Sequence, residues 1–385
     1  MRPPTPRPLA AFYFTSFAVL GVHLPYFNLY AESLGFTGRQ IGMLAAAMPL
    51  GKVLCGPLWT LWADRIGSRK GIALLATALA TAAFAFMLGV QSFVAMCGVL
   101  YLYSALLAPQ LPLVEATTLE LADRHRWQYG RIRVWGSLGF IVSALLFGPF
   151  FDAHAIGHVR VAILAASVIN LAATAAIPSV PPRTTWRRRD LSPGLLRGEV
   201  AAFFGCTLLM QASHGAYYTF FSIILDEAGY SRGWIGALWA VGVAAEMATM
   251  VGAGALHRRL GVAGVMTACL LLAALRWGIT ASTLWLPALV AAQALHAFTF
   301  GAFHVSGVTG THRLFPEPLR SSGQSLYSGL TYGAGNMIGF FGAGVLYEWG
   351  GARPLYLAMS ATALAGLLLS VALWRNPALR GREPE

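Results

Sequence analysis

The sequence predicts an all-α membrane protein of twelve transmembrane helices, arranged as two pseudo-symmetric six-helix bundles. Three observations predict it. The 385-residue chain is 57% hydrophobic and only 11% charged, with a mean hydropathy of +0.61, so lipid rather than water is the solvent for most of it. Apolar runs of about 20 residues, the length that crosses a bilayer core, recur along the whole chain. The basic residues sit in the short stretches between those runs, where they act as orientation signals.

Taken in order, the spans run roughly 9–31, 39–62, 71–90, 93–119, 132–151, 159–178, 200–226, 233–256, 262–281, 284–310, 323–347 and 354–374. Strand alternation is absent and the runs are too long for barrel strands. The opening MRPPTPRPLA is short, basic and proline-rich, with no small-residue cleavage site after the first apolar run, so it reads as a cytoplasmic tail rather than a cleaved signal. With the N-terminus inside, the inner stretches hold Arg2, Arg7, Arg65, Arg69, Lys70, Arg124, Arg126, Arg131 and Arg133. They also hold the basic run 183–197, Arg258, Arg259, Arg313, Arg320 and the C-terminal arginines. Outer loops keep only Arg39, Arg160, Arg232 and Arg353. The asymmetry places both termini in the cytoplasm of a multi-pass protein of the cell inner (plasma) membrane. The longest hydrophilic connection has no apolar periodicity, giving domains of 1–178 and 199–385 joined by a cytoplasmic linker, 179–198.

The formal charge of +12 is spread over these loops, which argues against nucleic acid as a partner; a monomer in lipid is expected. Cys55, Cys97, Cys206 and Cys269 all fall in apolar segments without metal-ligand spacing and read as small buried hydrophobes. No glycine loop ends in Lys-Ser/Thr and no HExxH or CxxC spacing occurs. Neither an ATP motor, a metal, a cofactor nor an enzyme is expected.

The chain also repeats itself. At an almost constant offset Gly35, Ile41, Gly42 and Leu44 fall on Gly229, Ile235, Gly236 and Leu238, and Gly21 falls on Gly215. Arg65-Ile66-Gly67 falls on Arg259-Leu260-Gly261, and one residue out of step Gly130 and Gly136 meet Gly323 and Gly329. Parallel six-helix repeats build transporters with a midplane site between the halves. In this alignment Lys52 falls on Glu246, so the halves place opposite charges at equivalent points.

Between the second and third spans, TLWADRIGSRK (60–70) resembles the loop signature Gly-x-Leu-Ala-Asp-Arg-x-Gly-Arg-Lys of the major facilitator superfamily. Asp64, Arg65, Gly67 and Lys70 match and Arg69 lies one basic position along, while Thr60 and Ser68 depart from the pattern. In the second copy Arg258 replaces the aspartate. The segments YGRIRVWGSLGF (129–140), HGAYYTF (214–220), GALWAVGVAAE (236–246), LRWGI (275–279) and QALHAFTFGAFH (293–304) are similar to the phenylpropionate-permease-like branch, related to lactose and nucleoside proton symporters. The resemblance implies the major facilitator fold and proton-coupled uptake of a small organic solute by alternating access. An aromatic carboxylate such as a phenylpropionate-like acid is favoured; a nucleoside or sugar symporter, a drug or metabolite exporter and a non-transporting membrane sensor are the alternatives. It also implies that Asp64, Arg65 and Arg69 gate the cytoplasmic side. Glu115 on the fourth span and Arg133 on the fifth, with Arg131 behind it, take a substrate-binding role by the same resemblance. The bland reading keeps both arginines at the headgroups.

Ionised groups inside a membrane usually lie on a substrate or ion pathway. Glu246 on the eighth span shares a face with Gly242, Thr249 and Ala253; balanced between burial and a nearby cation, such a carboxylate can take and release a proton. Arg276 on the ninth span needs an anionic partner, and Glu246 or a substrate carboxylate could supply it. A static ion pair fastening two helices is the bland alternative. Gln293, His296, Phe300 and His304 form one stripe of the tenth span, and a histidine there could relay a proton or bind a ligand. The lactose-permease relatives carry a glutamate one turn from this histidine; Gly307 stands here, leaving proton binding to Glu246, His304 or Glu115, with Arg276 as the coupled cation. Lys52, at mid-depth of the second span, is a countercharge or an anion ligand. Tyr26 on the first span, and Gln211, His214, Tyr218 and Phe221 on the seventh, form aromatic faces suited to an amphipathic ring, although packing is the commoner role of such residues.

Overall fold

The computed structural model describes residues 5–180 and 198–381, with the side chains of Thr60, Asp64, Met250, Val251, Ala253, Pro318 and Ser321 left outside. Most of the expected linker, 181–197, lies outside the described residues. Every regular element among those described is helical. Nine of these stretches are long and apolar enough to cross a membrane, from Arg7–Ser33 to Ala352–Arg375. Three more, 199–227, 232–260 and 320–350, are helical but interrupted or more polar, so the expected twelve fits. The chain divides into two compact units: Met1–Thr185 with Gly229–Ala240, and Trp186–Ala228 with Val241–Glu385.

In the first unit α1 (Arg7–Ser33) packs against α6 (Tyr129–Ala153) and α7 (Val159–Ala176). Helix α2 (Gly38–Ile66) lies on α4 (Phe93–Leu107), and α3 (Arg69–Ala85) on α4, α5 (Gln110–His125) and α7. Lipid gives helices no hydrophobic reason to associate, so small residues that admit close backbone approach decide where they meet. At Gly21 on α1, an added Cβ would lie 2.9 Å from the Phe140 Cα. At Gly51 on α2 it would lie 2.7 Å from the Tyr101 carbonyl oxygen. Ser104 donates to the Met48 carbonyl at 2.6 Å and the Trp59 indole to the Ala105 carbonyl at 2.9 Å, pinning α2 to α4.

In the second unit α8 (Glu199–Ser213) packs on α14 (Asn336–Gly350) and α15 (Ala352–Ser370), and α9 (Gly215–Glu227) on α14. Gly215 does there what Gly21 does in the first unit: an added Cβ would lie 2.8 Å from the Gly339 Cα. Helix α10 (Arg232–Ser282), whose start through Ala240 belongs to the first unit, is broken at Gly261 (φ 68°, ψ 171°). Helix α11 (Leu286–Ala294) passes through a π segment, Ala297–Ala302, into α12 (Phe303–Leu314). Helix α13 (Arg320–Ser328) passes through another, Gly329–Gly335, into α14.

The repeat seen in the sequence has a conformational counterpart. Gly35 and Gly229 adopt φ 81° and 85°, and Gly67 and Gly261 adopt φ 69° and 68°, a region L side chains avoid. Two residues after the first pair, Thr37 and Ser231 accept from the backbone N–H three positions on at 3.4 and 3.3 Å, opening α2 and α10 in the same way. Asp152 at the end of α6 adds a second cap to α10, accepting from the N–H groups of Arg232 at 2.7 Å and Gly233 at 3.0 Å. A carboxylate at a helix N-terminus is favoured by the orphan donors and the dipole.

Gly215→Ala is expected to destabilise the purified protein by about 1–3 kcal/mol through overpacking. Gly342→Ala, whose Cβ meets nothing within 4 Å, should be neutral or slightly stabilising. Melting in detergent checks both; equal curves would contradict the account of the α9–α14 contact.

Candidate binding site

The second unit gathers the charged residues that stand out in the sequence around one fully buried guanidinium. Arg276, on α10 beyond the Gly261 break, is 0% exposed. Its Nη1 donates to His296 Nδ1 at 2.8 Å and Thr299 Oγ1 at 3.0 Å, and its Nη2 to Gln293 Oε1 at 3.1 Å. The guanidinium carbon lies 4.3 Å from the Trp277 ring centroid and 4.6 Å from that of Tyr217, both within cation–π range. Nε finds no hydrogen-bond partner. Among the described residues Arg276 forms no direct ion pair.

The hydrogen bonds have fixed directions, because arginine only donates. His296 Nδ1 must therefore present a lone pair, which puts the imidazole hydrogen on Nε2 in a neutral ring. Nε2 faces Glu246 Oε2, 4.0 Å away. On the other side His214 Nδ1 lies 2.8 Å from the Met210 carbonyl oxygen, which only accepts, so His214 Nε2 is the acceptor for the Thr299 hydroxyl at 3.3 Å. Thr299 thus takes a hydrogen bond from Arg276 and gives one to His214. The Trp277 indole donates to Ser213 at 3.2 Å and Ser213 to the Met210 carbonyl at 2.7 Å, so α8 supports the far side of the cage.

Of the two anionic partners the sequence leaves open for Arg276, Glu246 does not pair with it directly; the His296 ring stands between them. The small residues explain how it fits. An added Cβ at Gly242, one turn before Glu246, would meet Gln293 Oε1 at 3.2 Å and His296 Cδ2 at 3.5 Å. At Gly301 in the π segment it would meet Glu246 Cγ at 3.1 Å. A π turn admits an extra residue and re-aims the side chains around it, and such turns recur at functional sites.

The expected stripe of α11–α12 forms. His296 stacks on Phe300 at 5.3 Å between centroids, and Phe300 on His304 at 6.2 Å. His304 Nδ1 lies 2.6 Å from the hydroxyl of Tyr332, in the second π segment, and Tyr332 lies 3.4 Å from the Tyr327 hydroxyl. Tyr218 is half-buried and stacks on His214 at 6.0 Å. Gln211 donates to Asn336 at 2.8 Å.

The first unit holds a smaller cluster. The Arg133 guanidinium lies 4.1 Å from the Phe17 ring centroid and 5.4 Å from that of Tyr13, and Arg131 is exposed. Glu115 accepts a short hydrogen bond from the Tyr129 hydroxyl, and Tyr13 donates to Thr118 at 3.3 Å. Glu115 and Arg133 form no ion pair with each other among the described residues; aromatic partners take each group. Lys52 is exposed. Tyr26, expected on a ligand face, is fully buried and donates to the Ala144 carbonyl at 2.6 Å, so α1–α6 packing occupies its hydroxyl. Of the expected gating residues, the Asp64 side chain lies outside the described residues and Arg65 is exposed. Arg69 pairs with Glu120 at 2.7 Å, which also pairs with Arg124 at 2.5 Å.

Thr299, Tyr217 and Trp277 belong to the Arg276 cage and Tyr332 to His304, but none is marked as such by its own chemistry. Thr299 lies three residues beyond His296 on the same helix, which is the one available signal. His257, equally unmarked, is buried and lies 2.8 Å from Ser306. Among the described residues no three His, Cys, Asp or Glu side chains gather at metal-binding separation.

Comparison with known proteins places this geometry. A model described as the MFS_1 like family matches residues 7–358. The chain is 30% identical over 376 residues to the probable 3-phenylpropionic acid transporter of Escherichia coli (strain K12), covering 94% of this chain and 96% of that protein. It is 26% identical over 377 residues to the maltose permease of Geobacillus stearothermophilus, covering 97% and 95% of the two chains. The crystal structure of the nucleoside transporter NupG superposes with a TM-score of 0.81 at 18% identity, covering 96% of this chain and 99% of that one.

Thr299→Val should lower stability by about 1–3 kcal/mol, since two buried groups lose their shared partner, while Thr299→Ser should recover most of the loss. Thermal melts in detergent read the difference; a valine variant as stable as the parent would contradict the bridging role.

Proposed function

The chain belongs to the MFS_1 like family of membrane transporters, and from that premise we propose that it is a proton-coupled importer of a small aromatic carboxylate, of the kind 3-phenylpropionate represents. The observation that carries the reading is Arg276: a wholly buried cation whose hydrogen-bond acceptors are neutral and whose Nε–H has none. A buried charge without a direct counterion is costly. A substrate carboxylate would relieve that cost by accepting a bidentate bond from the fork, beside the Trp277 and Tyr217 rings already packed on the guanidinium.

Glu246 takes part in the proton coupling of this proposal as the ionised group beyond His296 that balances a positive charge in the cage. His304 with Tyr332, and Glu115 with Tyr129, are the further groups at which a proton could be held, and Arg133 is a cationic group of the first unit to which the proposal also gives a binding role. His214, Tyr218, Gln293 and His296 complete the proposed ligand contacts in the second unit. Both termini in the cytoplasm of the inner membrane, a functional monomer and alternating access belong to the same proposal.

Uptake of labelled 3-phenylpropionate into proteoliposomes tests it. An inward proton gradient should drive accumulation, and excess nucleosides or sugars should leave it unchanged. Glu246→Gln should abolish gradient-driven accumulation, and Arg276→Gln should cut uptake roughly tenfold or more, the scale of a lost charged hydrogen bond. Accumulation of nucleosides or sugars in place of the acid, or outward pumping, would replace this reading with another.

A further inference from the structure

His296 Nδ1 has room for one hydrogen. The Arg276 Nη1–H supplies it across 2.8 Å, and a guanidinium cannot turn round to accept. A proton bound to Nδ1 and the Arg276–His296 hydrogen bond are therefore mutually exclusive. The groups facing the ring are few and come from every element packed on it. Arg276 and Glu246 approach from α10. His214 stands at the α8–α9 junction, 5.9 Å between rings, and Tyr217 on α9 at 5.4 Å. Gln293 and Phe300 flank the ring along its own helix, and Gln293 is held by Arg276. Of these only Glu246 can carry a negative charge at ordinary pH, and it faces Nε2, where an imidazolium would keep its second N–H.

We propose that His296 is the coupling switch: an anion that draws Arg276 away exposes Nδ1 to a proton, and a proton on Nδ1 releases Arg276 to an anion. The inference deepens the proposed function and rests on its reading of Arg276 as the anion anchor. The step balances simply. A hydronium ion from water entering with the substrate gives its proton to Nδ1 and leaves as water; the Arg276–His296 hydrogen bond breaks, the substrate carboxylate replaces it, and Glu246 stays ionised against the new imidazolium. Anion and proton then favour each other's binding by the same factor, as linkage requires. A cation and an anion enter together without a buried net charge.

Two measurements test the switch. In the first, the full chain in lipid vesicles carries isotope-labelled histidine and arginine and is followed by nitrogen NMR without any ligand. The His296 signal is identified by its contact with the Arg276 guanidinium and by its loss in His296→Asn. Near neutral pH it should show hydrogen on Nε2 and a bare Nδ1, and acidification should protonate it and remove the arginine contact in one step. Hydrogen on Nδ1 of the neutral ring would overturn the proposal. So would a protonated ring that keeps the contact, or a ring that stays neutral until the protein unfolds. In the second, neutralised 3-phenylpropionate is added to purified protein in weak buffer. The parent should absorb roughly one proton per ligand bound; His296→Asn, which keeps an acceptor for Arg276 but holds no proton, should absorb none for each ligand it binds, whatever its affinity. Undiminished proton uptake by that variant would overturn the switch. Failure of the parent to bind this acid would instead count against the substrate assignment, and the ligand-free titration would still decide the switch.

Discussion

The buried Arg276 guanidinium imposes a requirement that the rest of the second unit is arranged to meet. Removing such a group from water costs several kcal/mol even after relaxation, and the chain offsets this with three neutral acceptors and two aromatic faces rather than a touching carboxylate. Neutral acceptors leave the cation open to exchange. A direct ion pair would hold it in one state, whereas His296, Thr299 and Gln293 each bind it by a single hydrogen bond. Glu246 is kept near enough to matter, 4.0 Å from the imidazole and on the side of the ring away from the Arg276 hydrogen bond.

The backbone makes this arrangement possible. The π segment Ala297–Ala302 sets both Thr299 and Gly301 against α10, one as a hydrogen-bonding bridge and the other as a gap for Glu246. Gly242 opens a similar gap for Gln293 and His296. The Gly261 break lets Glu246 and Arg276 belong to two antiparallel spans of one continuous segment. The equivalent break at Gly67 joins α2 to α3, so each unit uses a left-handed glycine at the same point of its repeat.

Much of this is legible in the chain. Helix number follows from hydropathy, because a bilayer sets the length of each span, and the repeat is marked by glycines that only a positive φ requires. Glu246 and Arg276 stand out because a charge in an apolar run is rare, and the His296–Phe300–His304 stripe follows from helical period alone. What stays hidden depends on neighbours distant in sequence. Tyr26 and Tyr217 are both aromatics within apolar spans, yet one bonds a carbonyl of α6 and the other lies under a guanidinium. Arg133 finds Phe17 and Tyr13 on α1 rather than Glu115, a choice no spacing rule contains. The intervening His296 is hidden for the same reason: depth along two spans says that charges lie level, not what stands between them.

The central claim is that Arg276 is kept as an anion anchor. Its most direct measurement compares binding of 3-phenylpropionate with that of its uncharged alcohol, 3-phenylpropanol, to the parent protein and to Arg276→Gln by titration calorimetry. The account predicts that the parent prefers the acid by roughly ten- to a hundredfold, the worth of a charged hydrogen bond, and that the preference disappears in the variant. Equal affinity of the parent for acid and alcohol, or a preference that survives the loss of Arg276, would contradict it.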